Sequence, residues 1–252
     1  MKYLINNFRK LKFWLKDNKT LRFNINKTLW ETGSPFVKLE PRPLEDIFNS
    51  NISEDSLTLK NILQRQRGMS LEIEELLTIL IILRQIKPQK ILEIGTYDGN
   101  TTLNIAANTF PEAVITTIDL PPEGLENISH SGKKEPETFK KRQYLETKEE
   151  SKVIQIYGDS AELDFSKLGG PFDLVFIDGD HSQFYAYSDT VKSLSVLNPG
   201  GVIIWHDYEM QSVSSVIDRA SAKEEIYWIK GTRLAVGFFD NPKQSTSSFA
   251  VT

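Results

Sequence analysis

The sequence contains no cysteine, which excludes a disulfide framework, a thiolate-ligated metal site and a cysteine nucleophile. No apolar run approaches the roughly 18 residues that a membrane-spanning helix needs. Histidine is scarce as well, so few side chains could act as a neutral base or an imidazole ligand. The three are His130, His181 and His206. These absences favour an intracellular enzyme, and we expect a cytoplasmic one.

The overall charge of -4 conceals an uneven distribution. Residues 1–27 hold eight basic residues against Asp17 alone, a net +7, which leaves -11 on the rest of the chain. Such an acidic body argues against nucleic acid as the main partner.

The basic segment contains a predicted amphipathic helix over residues 2–16. Such a helix binds an anionic membrane surface or a partner, or it packs on its own domain or on a second subunit of a homo-oligomer. We favour packing, since Phe13 and Trp14 suit a subunit contact. The apolar stripe consists of Leu4, Phe8, Leu11 and Leu15.

The length of 252 residues and the 39% hydrophobic content suit one α/β domain with additions. We expect a basic helix and a wrapping segment over residues 1–60, the main domain over 61–245 and a tail over 246–252. Residues 121–151 are long and polar for a connection within such a domain, and we interpret them as a lid-like insertion with a helix over 137–150.

A strand, a glycine turn and a helix follow one another over residues 90–102, and the rest of the domain is organised around them. The apolar run before Gly95 suits a buried parallel strand, and Asn100 or Thr101 can cap the helix. Gly95 and Gly99 let the backbone approach a ligand. Because ligands bind at the carboxyl ends of the strands in an open α/β sheet, this turn marks the expected site.

The spacing of the glycines separates two classes of cofactor. A dinucleotide fingerprint needs three glycines in the pattern G-x-G-x-x-G, and here the middle one is absent. Glu93 could instead lie near a cationic cofactor group. An apolar strand ends in Asp119 about 20 residues later, where a carboxylate can accept both ribose hydroxyls of an adenosine. Asp159 and Ser160, after the next strand, could meet the adenine, although a capped turn explains them equally well.

Acids and histidines follow two further apolar strands. The strand over 172–177 runs into Asp178, Asp180 and His181, and the strand after Gly201 runs into His206 and Asp207. If both strands are parallel, the two groups converge on one edge of the sheet. Each acid alone could also be a helix cap.

Together these side chains suit a divalent cation with open positions for a substrate. Asp178, His206 and Asp207 offer two carboxylates and an imidazole. A cation there would favour the anionic form of a substrate hydroxyl, and Asp180 or His181 could take its proton.

The successive motifs resemble those of the class I S-adenosylmethionine-dependent methyltransferases over roughly residues 70–240. More narrowly they are similar to bacterial metal-dependent O-methyltransferases related to catechol O-methyltransferase and to the macrolide and novobiocin sugar enzymes. The resemblance implies a Rossmann-like α/β fold, with a seven-stranded, mostly parallel sheet whose last strand is antiparallel and with helices on both faces. An N-terminal helical extension would precede it.

The resemblance also assigns roles to residues. It implies magnesium at Asp178, His206 and Asp207, and a base at Asp180. Here His206 stands where the related patterns have an acid, and imidazole is a poorer magnesium ligand, which leaves open a weaker metal, a different one such as manganese, or none. Without a metal, His181 or His206 would be the favoured base. Contacts to S-adenosylmethionine are implied at Glu93, Gly95, Thr96, Tyr97, Gly99, Thr101, Asp119, Leu120, Gly158, Asp159, Ser160 and Asp178.

The sequence therefore predicts an S-adenosylmethionine-dependent O-methyltransferase acting on a small hydroxylated molecule such as a sugar or a natural-product intermediate. Two alternatives stay open. One is an NAD-type oxidoreductase on a related sheet, which the missing glycine disfavours. The other is a non-catalytic module that binds a partner or a membrane through residues 2–16.

Overall fold

A mixed sheet of eight strands forms the centre of the molecule. The computed structural model describes residues 38–48, 56–62, 71–121, 142–221 and 223–249. The strands are β1 Pro41–Arg42, β2 Lys90–Ile94, β3 Val114–Asp119, β4 Val153–Tyr157, β5 Phe172–Ile177, β6 Leu197–Trp205, β7 Glu225–Ile229 and β8 Ala235–Phe239. In the sheet they lie in the order β1-β7-β8-β6-β5-β2-β3-β4.

Helices cover both faces of the sheet, because successive residues of its central strands point alternately to opposite sides. The helices are α1 Leu44–Phe48, α2 Ile73–Ile86, α3 Asn100–Asn108, α4 Gln183–Ser195, α5 Gln211–Ile217 and α6 Pro242–Ser245. One core packs β2 and β5 against α2 and α3, and the other packs them against α4 and α5. The two-faced α/β architecture predicted from the sequence is confirmed.

All strand pairs except those made by β8 are parallel, and β8 runs antiparallel to both β6 and β7. This confirms the expected antiparallel last strand. The expected count of seven was wrong by one, because residues 41–42 add a parallel edge strand beside β7. A two-residue strand that starts with proline has too little length and too few donors to be recognised from its pattern.

Asparagine side chains join α3 to the segment over residues 56–62. The amide of Asn104 accepts from the backbone N–H of Lys60 at 2.8 Å and donates to its carbonyl at 3.0 Å. Asn108 makes the same pair of hydrogen bonds with Thr58, both at 2.8 Å. The amides at positions four apart thus pair with alternate residues of an extended segment, as a neighbouring strand would.

Several predicted segments fall wholly or partly outside the described residues. These include the basic helix over 2–16 and residues 122–141 of the expected lid. Within the rest of the lid, residues 142–149 form turns, so the helix expected over 137–150 was wrong there. In the expected tail, Phe249 is fully buried against Trp205 and Phe239. Among the described helices, none is long and apolar enough to cross a membrane.

Candidate active site

The predicted site residues converge because β3, β2, β5 and β6 are adjacent and parallel. Their carboxyl ends, at Asp119, Ile94, Ile177 and Trp205, open on one edge of the sheet. A cavity of about 510 Å³ opens at the opposite edge, near the starts of β5 and β6, and holds none of the predicted site residues.

Gly95 lets the ends of β2 and β5 approach closely. Its φ is +98°, and a Cβ there would lie 2.1 Å from the carbonyl oxygen of Asp178. Gly99, with φ +75°, closes the loop and would place a Cβ 2.9 Å from the ring of Tyr144. Both glycines of the motif are therefore required by the backbone. Tyr97, between them, also has a positive φ of 49°.

Glu93 lies fully buried beneath this loop. Its Oε2 accepts hydrogen bonds from the hydroxyls of Thr102, at 2.5 Å, and Thr117, at 2.6 Å. Burial raises its pKa to about 8, although these two hydrogen bonds oppose the shift. Thr96 extends the network through a 2.7 Å contact with Thr117. Glu93 on β2 is thus hydrogen-bonded to both α3 and β3 in the interior of the protein.

Asp119 ends β3 beside the glycine loop. Its Oδ2 accepts from the backbone N–H of Tyr97 at 2.9 Å, and its Oδ1 accepts from the N–H of Leu120 at 2.8 Å. Arg142 forms an ion pair with it, at 2.7 Å between Nη2 and Oδ2. Burial raises the pKa of Asp119, and Arg142 opposes that shift.

The loop after β4 lies next to Asp119, since Gly158 donates its N–H to the Asp119 carbonyl at 2.8 Å. Asp159 accepts from the hydroxyl of Tyr185 at 2.9 Å. Lys192 donates to the carbonyl of Ser160 at 2.6 Å and fixes the loop on α4.

Asp178, His206 and Asp207 form one cluster, with a ligand atom of each within 4.8 Å of the others. His206 Nδ1 is 2.8 Å from Asp178 Oδ1 and 3.5 Å from Asp207 Oδ1. Burial alone would lower the pKa of His206, but the neighbouring carboxylates of Asp178, Asp207 and Glu75 raise it to about 11.

Two further residues of the cluster were missed by the sequence analysis. Glu75 on α2 contacts His206 Nε2 at 3.2 Å and Arg233 Nη2 at 2.9 Å. Arg233, between β7 and β8, also binds Asp207 at 3.0 Å. Burial raises the pKa of Glu75, but hydrogen bonds from His206 and Arg233 outweigh it and hold the pKa well below its usual range. The sequence did hold a signal for Glu75. It lies four residues before Ile79, on the same face of an otherwise apolar helix, so it is an acid at a core position.

The cluster fits a divalent cation in its donor set and geometry. His206 Nδ1 is buried and has no hydrogen bond of good geometry among the described residues, although the Asp178 and Asp207 oxygens face it. Neighbouring ligands of an octahedral cation at about 2.1 Å lie about 3 Å apart, close to these distances. Glu75 holds the other ring nitrogen, and a carboxylate commonly fixes the tautomer of a metal-binding histidine in this way.

The two candidate bases stand on the loop after β5. His181 is 42% exposed, and its Nε2 lies 3.1 Å from Asp207 Oδ2. Asp180 is exposed, and its Oδ1 accepts from the N–H of Ser182 at 2.8 Å. Asp207 therefore orients the ring of His181. The other carboxylate oxygen of Asp180, Oδ2, takes no part in the hydrogen bond to Ser182.

Comparison with known proteins agrees with this geometry. Residues 92–208 match the family model described as a methyltransferase domain, from within β2 to just past the His206-Asp207 pair. Residues 92–208 therefore form a methyltransferase domain.

Relatives of this chain include O-methyltransferases. A catechol O-methyltransferase of Mycobacterium tuberculosis is 28% identical over 106 residues, which are 40% of this chain and 41% of that protein. O-methyltransferase hkm8 of Aspergillus hancockii is 27% identical over 122 residues, 48% of this chain and 43% of that protein. The chain thus spans about two fifths of the length of the curated relatives that it matches.

A solved structure shares the fold. The O-methyltransferase TomG from Streptomyces achromogenes, crystallised in complex with SAM, gives a TM-score of 0.54 at 16% identity. The match covers 69% of this chain and 82% of that one. The family predicted from the motifs is confirmed. The roles of the individual site residues stay predictions.

Proposed function

We propose that the protein transfers a methyl group from S-adenosylmethionine to a hydroxyl oxygen of a small molecule, such as a sugar or a natural-product intermediate. The observation that carries the proposal is the convergence of the glycine loop, Asp119 and the Asp178-His206-Asp207 cluster on one edge of the sheet. The names of the relatives support oxygen as the methyl acceptor.

The cofactor would lie across the ends of β2, β3, β4 and β5. In this proposal Gly95 admits it close to the backbone, Asp119 binds the ribose, and Asp159 with Ser160 meets the adenine. Glu93 stabilises the loop from below through its hydrogen bonds to Thr102 and Thr117. The sulfonium of the cofactor supplies an electrophilic methyl group, and the protein holds the acceptor oxygen in line with it.

His181 is the base that the geometry favours. It is exposed toward solvent, and Asp207 orients its ring at 3.1 Å. Methyl transfer to the acceptor oxygen would release the cofactor as a neutral thioether, and His181 would take the hydroxyl proton. Asp180, with one oxygen bound to Ser182, is the second candidate for this proton.

A divalent cation, magnesium or manganese, would be held by Asp178, His206 and Asp207. Bound there, it would stabilise negative charge on the acceptor oxygen. Glu75 would keep the Nδ1 of His206 free for the cation by accepting from Nε2. Arg233 would offset part of the negative charge of the cluster.

Isothermal titration with S-adenosylmethionine tests the cofactor site. We expect Asp119→Ala to weaken binding at least about tenfold, because the buried carboxylate is lost as a ribose acceptor. Asp240→Ala is the matched control, since Asp240 is exposed at the opposite edge of the sheet. Equal binding by the Asp119 variant would remove the ribose assignment.

Titration with Mn²⁺ tests the cation separately. Asp178→Ala should abolish binding, and Glu75→Gln should weaken it about 10- to 100-fold, because partners of metal-binding histidines typically contribute that much. Glu74→Gln is the control, since Glu74 is the exposed neighbour on the same helix. Methyl transfer that survives EDTA unchanged would count against a catalytic cation.

Methyl transfer from labelled S-adenosylmethionine to catechols and to sugars tests the acceptor class. We expect transfer to one of these hydroxylated classes and a loss of at least about 100-fold in kcat with His181→Asn, the range of general-base catalysis. If Asp180→Asn causes that loss and His181→Asn does not, the roles of the two residues are exchanged.

A further inference from the structure

The segment that follows the undescribed part of the lid docks on the glycine loop. Gln143 donates its backbone N–H to the Asp98 carbonyl at 2.8 Å and its side-chain amide to the Asp98 carboxylate at 2.7 Å. Asn100 donates to the Gln143 side chain at 2.9 Å. The ring of Tyr144 covers Gly99. These contacts hold the backbone of residue 142 beside the loop.

Arg142 is placed by this docking with its side chain inside the site. It is only 2% exposed, and its Nη2 donates to Asp119 Oδ2 at 2.7 Å. Its Nε and Nη1 are buried and have no hydrogen-bond partner among the described residues. Buried N–H groups are rarely left unpaired in native proteins, so these donors point to a ligand acceptor.

The carboxylate of Asp119 also has hydrogen-bond acceptor capacity left for a ligand. A carboxylate has about four acceptor positions. Oδ2 accepts from Tyr97 and Arg142, and Oδ1 accepts from Leu120. One position on Oδ1 is left, so the carboxylate can accept from one further hydroxyl group.

A ribose diol matches this combination. One hydroxyl can donate to the remaining position of Asp119, and the other can accept from the guanidinium, whose donors lie beside the same carboxylate. We propose that Arg142 is a further cofactor-binding residue, which donates to one ribose hydroxyl of S-adenosylmethionine while Asp119 accepts from the other. This proposal rests on the proposed function, because it assumes that cofactor.

Binding of S-adenosylhomocysteine, measured by isothermal titration, tests the assignment without requiring turnover. Arg142→Met keeps much of the side-chain length and removes every donor. We expect its Kd to rise at least about tenfold, as for the loss of a charged hydrogen bond to a buried ligand. Lys148→Met is the control, since Lys148 lies in the same segment and is 84% exposed.

Analogues of S-adenosylhomocysteine that lack the 2′- or the 3′-hydroxyl separate a direct contact from a structural role. Each should bind the wild type about tenfold more weakly. In Arg142→Met the penalty should largely disappear for the analogue that lacks the hydroxyl bound by Arg142, and it should remain for the analogue whose missing hydroxyl donates to Asp119. The comparison of the analogues on the wild type does not depend on whether any variant folds. If Arg142→Met does not fold, Arg142→Lys, which keeps the charge and loses the planar donor set, takes its place.

Four results would overturn the proposal. Tighter binding by Arg142→Met would mean that the guanidinium blocks the ribose position. Unchanged binding, or an undiminished penalty for both deoxy analogues in the variant, would mean that Arg142 acts only on the loop. If the wild type itself fails to bind S-adenosylhomocysteine, the proposed function fails too, which the other results do not imply.

Discussion

Replacing Glu93 with glutamine tests how the glycine loop is supported. Glu93 is fully buried, and its Oε2 accepts from two threonine hydroxyls. Burial raises its pKa from an ordinary value of 4.5 to about 8, so the folded protein keeps this proton at neutral pH. Glutamine keeps the shape and one acceptor oxygen and cannot ionise.

The sign of the pH effect follows from which state binds the proton. Between pH 4.5 and about 8 the unfolded chain has lost the proton of Glu93 and the folded protein retains it. The free energy of unfolding therefore falls as the pH rises through this window, and it levels off above it. At about 1.4 kcal/mol per pKa unit the whole loss is about 5 kcal/mol, of which roughly 3 to 4 kcal/mol falls between pH 5 and pH 8.

Urea unfolding at a series of pH values measures this loss. We expect the stability of Glu93→Gln relative to the wild type to increase by that amount between pH 5 and pH 8. Glu162→Gln, a change at an exposed glutamate, should follow the wild type throughout. Parallel curves for the wild type and Glu93→Gln would refute the argument, because they would mean that folding leaves this carboxyl free to ionise.

Two further substitutions test the backbone around the site. In chemical denaturation, Gly95→Ala should lose at least about 2 kcal/mol more stability than Gly200→Ala. Both glycines have positive φ, but of the two only Gly95 would bring a Cβ against the Asp178 carbonyl. Equal losses would contradict this. Asn104→Ala should cost about 2 kcal/mol and speed hydrogen exchange at the Lys60 amide, because the two hydrogen bonds that join Asn104 to Lys60 are lost. Unchanged protection of that amide would be the contrary result.

The sequence by itself determined the order of the elements and the edge of the sheet at which the site lies. Apolar runs that end in glycine or acid marked the strands that end at Gly95, Asp119 and Asp178. The residue types within each short segment were sufficient to identify these strands. Parallel strands joined by helices place such ends together, so the convergence followed from the strand pattern. The extra strand over 41–42 carried no such pattern.

Only the tertiary structure decided which side chains share the site. Glu75 lies 131 positions before His206 and 158 before Arg233, and nothing in the local spacing pairs them. Arg142 likewise reaches Asp119 because turns, rather than the expected helix, place it over the glycine loop. Periodicity reports which face of an element is buried, whereas ion pairs between distant segments depend on how those faces pack, which one-dimensional spacing does not encode.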